Sequence, residues 1–193
     1  MGTDVPDVPG GVRLFVAVYP SAEALDHLDA FVDGLAVGRA ASAGINARRS
    51  ARRLLHVTLA FIGELPAERL VRATDAIGEA AAAMRPFELT IAGGGTFEGP
   101  SGTVLWAGVR APLEGPALVV RRALTRHRVR FDPRPYRPHL TIARPGHRVD
   151  VAADLDALAD YEGPACPIES VELVSSLPGP HPEYRTVRSW PLG

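Results

Sequence analysis

The chain has 193 residues, 46% of them hydrophobic and 22% charged, with a formal net charge of −1. That is enough chain to bury a sizeable core in one domain or two closely joined lobes. The charge balance excludes the strongly basic surface that holds long nucleic acids non-specifically. All 21 basic residues are arginine; with so many Ala, Gly and Pro alongside, this reads more simply as a coding bias than as a binding signal.

Met1 to Gly11 is rich in Pro, Gly and Asp and lacks the basic start and apolar stretch of a signal peptide. It reads as a flexible tail (1–11) ahead of one bilobal domain over 12–193. The single cysteine, Cys166, excludes an intramolecular disulfide and fits a reducing compartment. No apolar run approaches the roughly 18 residues that span a bilayer. The expectation is a cytoplasmic monomer with no membrane contact.

Val12 to Tyr19 is β-branched and aromatic and is stopped by Pro20, so a strand is expected there. Ser21 can cap a helix carrying Leu25, Leu28, Val32 and Leu35 at helical spacing. Residues 38–53, with Gly38, Gly44 and arginines 48, 49, 52 and 53, read as a loop. Those arginines fit either RNA phosphates or a solvated surface. A strand follows at Leu55–Ile62, and then a helix after Pro66 whose Leu70, Ala73, Ile77, Ala80 and Met84 share a face.

Phe87–Ala92 and Thr103–Val109 read as strands separated by Gly93-Gly94-Gly95 and a turn at Pro100-Ser101-Gly102. Pro116 opens a helix expected to reach Arg130. An extended connector follows at Pro133–Pro138, then a strand at His139–Ala143 and a short helix marked by Leu155 and Leu158. Ile168–Val174 and Tyr184–Trp190 read as closing strands. The fold class is therefore α+β: two related lobes, each a mainly antiparallel sheet with helices outside, around a central cleft.

One echo dominates. Leu55-His56-Val57-Thr58-Leu59-Ala60 resembles Pro138-His139-Leu140-Thr141-Ile142-Ala143, 83 residues further on. Strand alternation puts His56 and Thr58 on one face, with Val57, Leu59 and Phe61 on the other; His139 and Thr141 share a face opposite Leu140 and Ile142. One histidine near a strand end is usually a surface or packed residue. The same pattern in two strands is harder to attribute to packing. Imidazole titrates near neutrality, so one histidine can act as base and its twin as acid. Each threonine can donate its hydroxyl to a phosphate oxygen. Two such pairs facing one another make a site for phosphodiester cleavage that needs neither metal nor cofactor.

On these motifs the sequence resembles the 2H phosphoesterase superfamily, and within it the RNA 2′,3′-cyclic phosphodiesterase family, formerly called 2′-5′ RNA ligase. The resemblance covers nearly the whole chain after the tail. It includes Arg13-Leu14-Phe15-Val16-Ala17-Val18, Phe61-Ile62-Gly63-Glu64, Gly95-Thr96-Phe97 with Val104 to Gly108, the run from Arg137 to Arg144, and Leu173 to Leu177 with Gly179-Pro180 and Tyr184. It implies His56 as proton donor to the leaving ribose oxygen, His139 as proton acceptor, and a ribose 2′-phosphate product. It also implies Arg144 on the substrate phosphate beside Thr58 and Thr141. Alternation alone would turn Arg144 away from His139, so it needs a strand end or a bulge. Where the family commonly carries Trp-x-Pro and Asn before the first motif, this chain has Arg52-Arg53-Leu54-Leu55.

The expected partners are RNA ends bearing a 2′,3′-cyclic phosphate or small cyclic nucleotides. A 2′-5′ RNA ligase and a non-catalytic nucleotide- or RNA-binding module are the alternatives. His27 and His127 in helices, with His147 and His181 in loops, form no zinc pattern. Phe15, Phe97, Trp106, Tyr136 and Tyr184 are candidates for stacking on a base, although packing explains most aromatics.

Overall fold

The computed structural model describes residues 11–45, 47–99, 102–146, 149–179 and 182–193. The tail expected before Gly11, the turn residues Pro100 and Ser101, His147, Pro180 and His181 lie outside the described residues. Nine strands and five helices run in the order β1 (Val12–Val18), α1 (Ala22–Asp33), α2 (Ala36–Ser42), β2 (Ala47–Arg49), β3 (Val57–Leu65), α3 (Leu70–Ala82), β4 (Phe87–Phe97), β5 (Val104–Arg110), α4 (Glu114–Arg126), β6 (His139–Pro145), α5 (Ala152–Ala159), β7 (Glu162–Ile168), β8 (Ser170–Leu177) and β9 (Glu183–Pro191), among the described residues. They form two antiparallel sheets of order β3-β1-β8-β9 and β2-β6-β5-β4-β7. None of the described helices is long and apolar enough to cross a membrane.

The apolar faces explain the layering. α3 packs on β8 and β9 of the first sheet, while α5 packs on β4 of the second. The remaining long helices cross over: α1 follows β1 yet packs on β7 and β4, and α4 follows β5 yet packs on β3. Leu28 of α1, Ile77 of α3, Val120 of α4 and Leu140 of β6 therefore belong to one continuous buried cluster. The two sheets approach one another where β3 meets β6, the two strands that carry the motifs.

Several elements depart from the expectations. Residues 38–53 are not one loop: they contain most of α2, all of β2 and the start of a 3₁₀ turn at Arg52–Leu54. The α2 start is capped by a residue more than a hundred positions away. The buried Asp154 carboxylate accepts from the Ala36 N–H at 2.6 Å and the Val37 N–H at 2.9 Å, satisfying two of the donors that a helix start leaves open. The α4 helix ends at Arg126, before Arg128, which takes a left-handed φ of 55°. β7 has no counterpart among the expected strands, because Pro164 and Pro167 interrupt its pattern; it lies at a sheet edge, where proline is tolerated.

β4 runs straight through the three glycines. Its pairing with β5 skips between Ile91 and Gly94, and Gly93 takes a φ of 67° there. A Cβ on Gly95 would sit 2.5 Å from Trp106 Cζ2, so the missing side chain lets the indole lie against the strand. Asp154→Ala is expected to lower stability by about 1–3 kcal/mol, the cost of buried donors left without a partner. Urea unfolding followed by circular dichroism and tryptophan fluorescence measures it. We propose that residues 12–193 unfold as one unit because α1 and α4 each pack on the other sheet; coincident transitions are expected by the two probes.

Candidate active site

Each motif histidine sits at the threshold of its strand. His56 directly precedes β3 and His139 opens β6. His56 Nδ1 lies 2.7 Å from the Leu54 carbonyl, and His139 Nδ1 lies 2.8 Å from the Arg137 carbonyl, in each case two residues upstream. A carbonyl can only accept, so each Nδ1 carries the proton. This leaves Nε2 of the neutral ring as an acceptor. His56 Nε2 accepts from Thr58 Oγ1 at 3.1 Å.

Aromatic rings set the walls. Phe15 stacks on His56 with centroids 4.7 Å apart, and Tyr184 meets it edge-on at 5.3 Å. Phe97 and Trp106 meet His139 edge-on at 4.9 and 6.1 Å. Of the five aromatic candidates, these four flank the histidines, whereas Tyr136 packs below Arg121. Burial holds both imidazoles below their usual 6.5, His56 down to about 4, with the neighbouring His139 lowering it further.

Both motif strands are bulged at the same point. In β3, Ala17 pairs with Thr58 and Val16 with Ala60, so Leu59 is the extra residue. In β6, Trp106 pairs with Thr141 and Leu105 with Ala143, so Ile142 is the extra residue. Leu59 and Ile142 are separated by the same 83 residues as the two histidines. The Ile142 carbonyl is satisfied by the Ser50 N–H at 2.9 Å.

Each bulge reverses the alternation beyond it. Arg144 thereby returns to the side of His139 and Thr141 and lines the cleft. Phe61 likewise returns to the side of His56 and Thr58, which corrects its expected place beside Val57 and Leu59. It is partly exposed and packs with Phe15, Ala17 and Val174, under the Arg13 guanidinium at 4.9 Å.

The cleft has a volume of about 710 Å³ and is lined by His56, Thr58, Thr141 and Arg144, together with Ser176 and Tyr184. Five arginines border it and, among the described residues, no carboxylate does, so local positive charge is concentrated in a chain of net charge −1. His139 lines a smaller adjoining pocket of about 120 Å³ that shares Thr58 with the cleft.

The arginine-rich segment divides. Arg49 reaches Asp33 and lies 2.5 Å from Asp29, and Arg52 lies 2.5 Å from Asp26, tying β2 and the 3₁₀ turn to α1. Arg48 and Arg53 line the cleft. Arg13 also lines it; sequence reasoning missed it as a site residue because nothing local marks a strand arginine whose partner ring arrives through a bulge. His27 is held by the Tyr161 hydroxyl at 3.0 Å and His127 by Glu79 at 2.8 Å, both outside the cleft lining.

The family model described as the 2′-5′ RNA ligase superfamily matches residues 21–179. The chain belongs to this superfamily. Over 172 residues it is 30% identical to an RNA 2′,3′-cyclic phosphodiesterase of Methanothermobacter thermautotrophicus, covering 86% of this chain and 90% of that one. It is 38% identical over 92 residues to a protein of the same description from Geobacillus stearothermophilus, covering 46% of this chain and only 29% of that relative's length. A crystal structure from Thermus thermophilus superposes with a TM-score of 0.74 at 26% identity, over 93% of this chain and 97% of that one. Escherichia coli LigT, crystallised with 3′-AMP, gives a TM-score of 0.67 at 24% identity, over 94% and 98%.

This member of the 2′-5′ RNA ligase superfamily should reveal the half-buried His56 imidazole in its acid stability. Folded His56 stays neutral down to about pH 4, whereas an unfolded histidine takes up a proton near the ordinary 6.5. Unfolding therefore binds a proton within that window, so the His56 contribution is intact above 6.5 and declines as pH falls toward 4. Thermal unfolding of His56→Gln should lose less Tm than the original protein between about pH 7 and pH 5; parallel curves would contradict the depressed imidazole.

Proposed function

We propose that this protein hydrolyses the 2′,3′-cyclic phosphate of RNA ends or nucleotides to a ribose 2′-phosphate, using His56 and His139 as its acid–base pair and no metal or cofactor. The observation that supports this most is the duplicated device itself. Two sheets each present a histidine whose Nδ1–H is held by the backbone, beside a threonine; His56 and both threonines line the arginine-bordered cleft, and His139 lines the pocket that adjoins it.

In this mechanism the cyclic phosphate lies between Thr58 and Thr141, whose hydroxyls donate to its nonbridging oxygens, with Arg144 balancing its charge. Water attacks phosphorus while His139 Nε2 takes its proton. The bond from phosphorus to the ribose 3′ oxygen breaks, and protonated His56 gives its Nε2 proton to that oxygen. The pocket beside His139, at about 120 Å³, is roomy enough to admit water. It adjoins the cleft across Thr58, and so suits attack from the side opposite the leaving group. A buried imidazole with a depressed pKa is a strong acid once protonated, and the phosphate's negative charge favours that protonated form.

His56→Ala and His139→Ala should each lower kcat/KM for nucleoside 2′,3′-cyclic phosphates by about 10²–10⁴-fold, the usual worth of a positioned acid or base. Chromatography resolving 2′- from 3′-phosphate products should find only the 2′ isomer; a 3′-phosphate would reverse the polarity of the site, and a fully active variant of either histidine would exclude the pair. EDTA should leave turnover unchanged.

The kcat/KM profile should be bell-shaped, because one histidine must be protonated and the other neutral. Both free imidazoles titrate below 6.5, so its maximum should lie on the acid side of that value. A plateau extending unbroken from about pH 5 to pH 9 would contradict acid–base catalysis by this pair.

A further inference from the structure

The two motifs echo one another, but the rings beside them do not. Each histidine has a phenylalanine neighbour, Phe15 at 4.7 Å from His56 and Phe97 at 4.9 Å from His139. The second neighbours differ. His139 has Trp106, whose indole nitrogen is buried and which lines neither the cleft nor the adjoining pocket. His56 has Tyr184, which lines the cleft together with Thr58, Thr141 and Arg144.

The ring of Tyr184 is anchored. It packs on the small apolar cluster of Phe15, Ala17 and Val174, meeting Phe15 edge-on at 5.0 Å and His56 edge-on at 5.3 Å. Its hydroxyl is not. Among the described residues it makes no hydrogen bond, although the residue is half-buried and tyrosine usually pairs its O–H when drawn away from water.

The charge around that hydroxyl points to what would pair with it. Burial raises the Tyr184 phenol above its ordinary range, against the opposing pull of Arg144 and Arg13. The group is therefore a protonated donor in the field of two guanidinium groups. Guanidinium carries donors only, so neither arginine can accept from the phenol O–H. No described residue lining the cleft is a carboxylate. An anion beside Arg144 would accept from both.

We propose that Tyr184 is a further catalytic residue, whose hydroxyl donates to a nonbridging oxygen of the reacting phosphate on the His56 side. This rests on the proposed function. In the free protein the Thr58 hydroxyl is engaged by His56 Nε2, so on that side Tyr184 is the donor that does not wait for the imidazole to be protonated. The nonbridging oxygens gain negative charge as water adds to phosphorus, and the contact strengthens there. The phenol keeps its proton throughout, so proton transfer still runs from water to His139 and from His56 to the ribose 3′ oxygen.

Tyr184→Phe keeps the ring and removes the hydroxyl. With uridine 2′,3′-cyclic phosphate, kcat should fall by about 10²-fold, the usual effect of losing one donor aimed at developing charge. KM should change by less than about threefold. Both limbs of the kcat/KM pH profile should stay in place, because the phenol does not titrate with the histidines. Full activity in the variant would overturn the proposal. So would a displaced limb, which would mean that the ring acts by positioning His56.

The two diastereomers of uridine 2′,3′-cyclic phosphorothioate locate the contact, since sulfur accepts hydrogen bonds weakly. The original protein should be slowed more by sulfur at one of the two positions. Tyr184→Phe should remove much of that excess for the same diastereomer alone, because groups in contact give non-additive losses. Equal changes for both diastereomers would exclude a contact to one oxygen.

Calorimetry with uridine 2′-phosphate supplies a readout independent of turnover. Its dianionic phosphate resembles the charge reached in the transition state, so Tyr184→Phe should bind it about tenfold more weakly; unchanged affinity would contradict the contact. If the original protein turns over no cyclic phosphate, the proposed function fails. This binding comparison then decides on its own whether Tyr184 holds phosphate.

Discussion

Burial of one face of each motif strand governs the rest. Val57 and Leu59 in β3, with Leu140 and Ile142 in β6, are buried in the same continuous core. Successive side chains of a strand alternate, so this burial sends His56, Thr58, His139 and Thr141 to the other side. There the two sheets meet. Leu54 and Arg137 then complete the placement, since their carbonyls hold each Nδ1–H and fix each ring's orientation. Orientation thus comes from backbone geometry that both copies of the motif share.

Alternation alone would have built only half of the cleft. The paired bulges at Leu59 and Ile142 bury two successive residues in each strand, Leu59-Ala60 and Ile142-Ala143. Residues further along each strand change sides as a result. Phe61 comes round to receive the Arg13 guanidinium and Arg144 comes round to face the cleft. The internal repeat therefore extends past the histidines and threonines to a backbone irregularity, and the cleft's charge depends on it. Around His139 a third irregularity matters: the glycines of β4 let the Trp106 indole lie flat, where it also packs under Arg137 at 4.8 Å.

Much of this is legible in the sequence, for a physical reason. The two His-x-Thr segments announce themselves through period-two alternation, a purely local signal, and so do the amphipathic faces of α1 and α3 and the Ser21 cap. What stays hidden is set by distant partners. The α2 helix depends on Asp154, and β2 exists as a strand because β6 is there to pair with. The division of the arginines among α1 carboxylates and the cleft is a tertiary fact that four arginines in one short segment cannot announce. Bulges leave almost no mark in a single sequence, which is why alternation puts Phe61 on the wrong face. The need for a bulge at Arg144 can be stated from the sequence, but its position cannot.

Whether the two motifs serve one site is decided by a double-mutant cycle on His56 and His139. Residues acting as a unit give strongly non-additive losses. With uridine 2′,3′-cyclic phosphate, His56→Ala/His139→Ala should be no slower in kcat/KM than the slower single variant, within about threefold. Losses that multiply, so that the double variant falls by the product of the two single effects, would mean that the histidines act independently and would contradict a shared acid–base site.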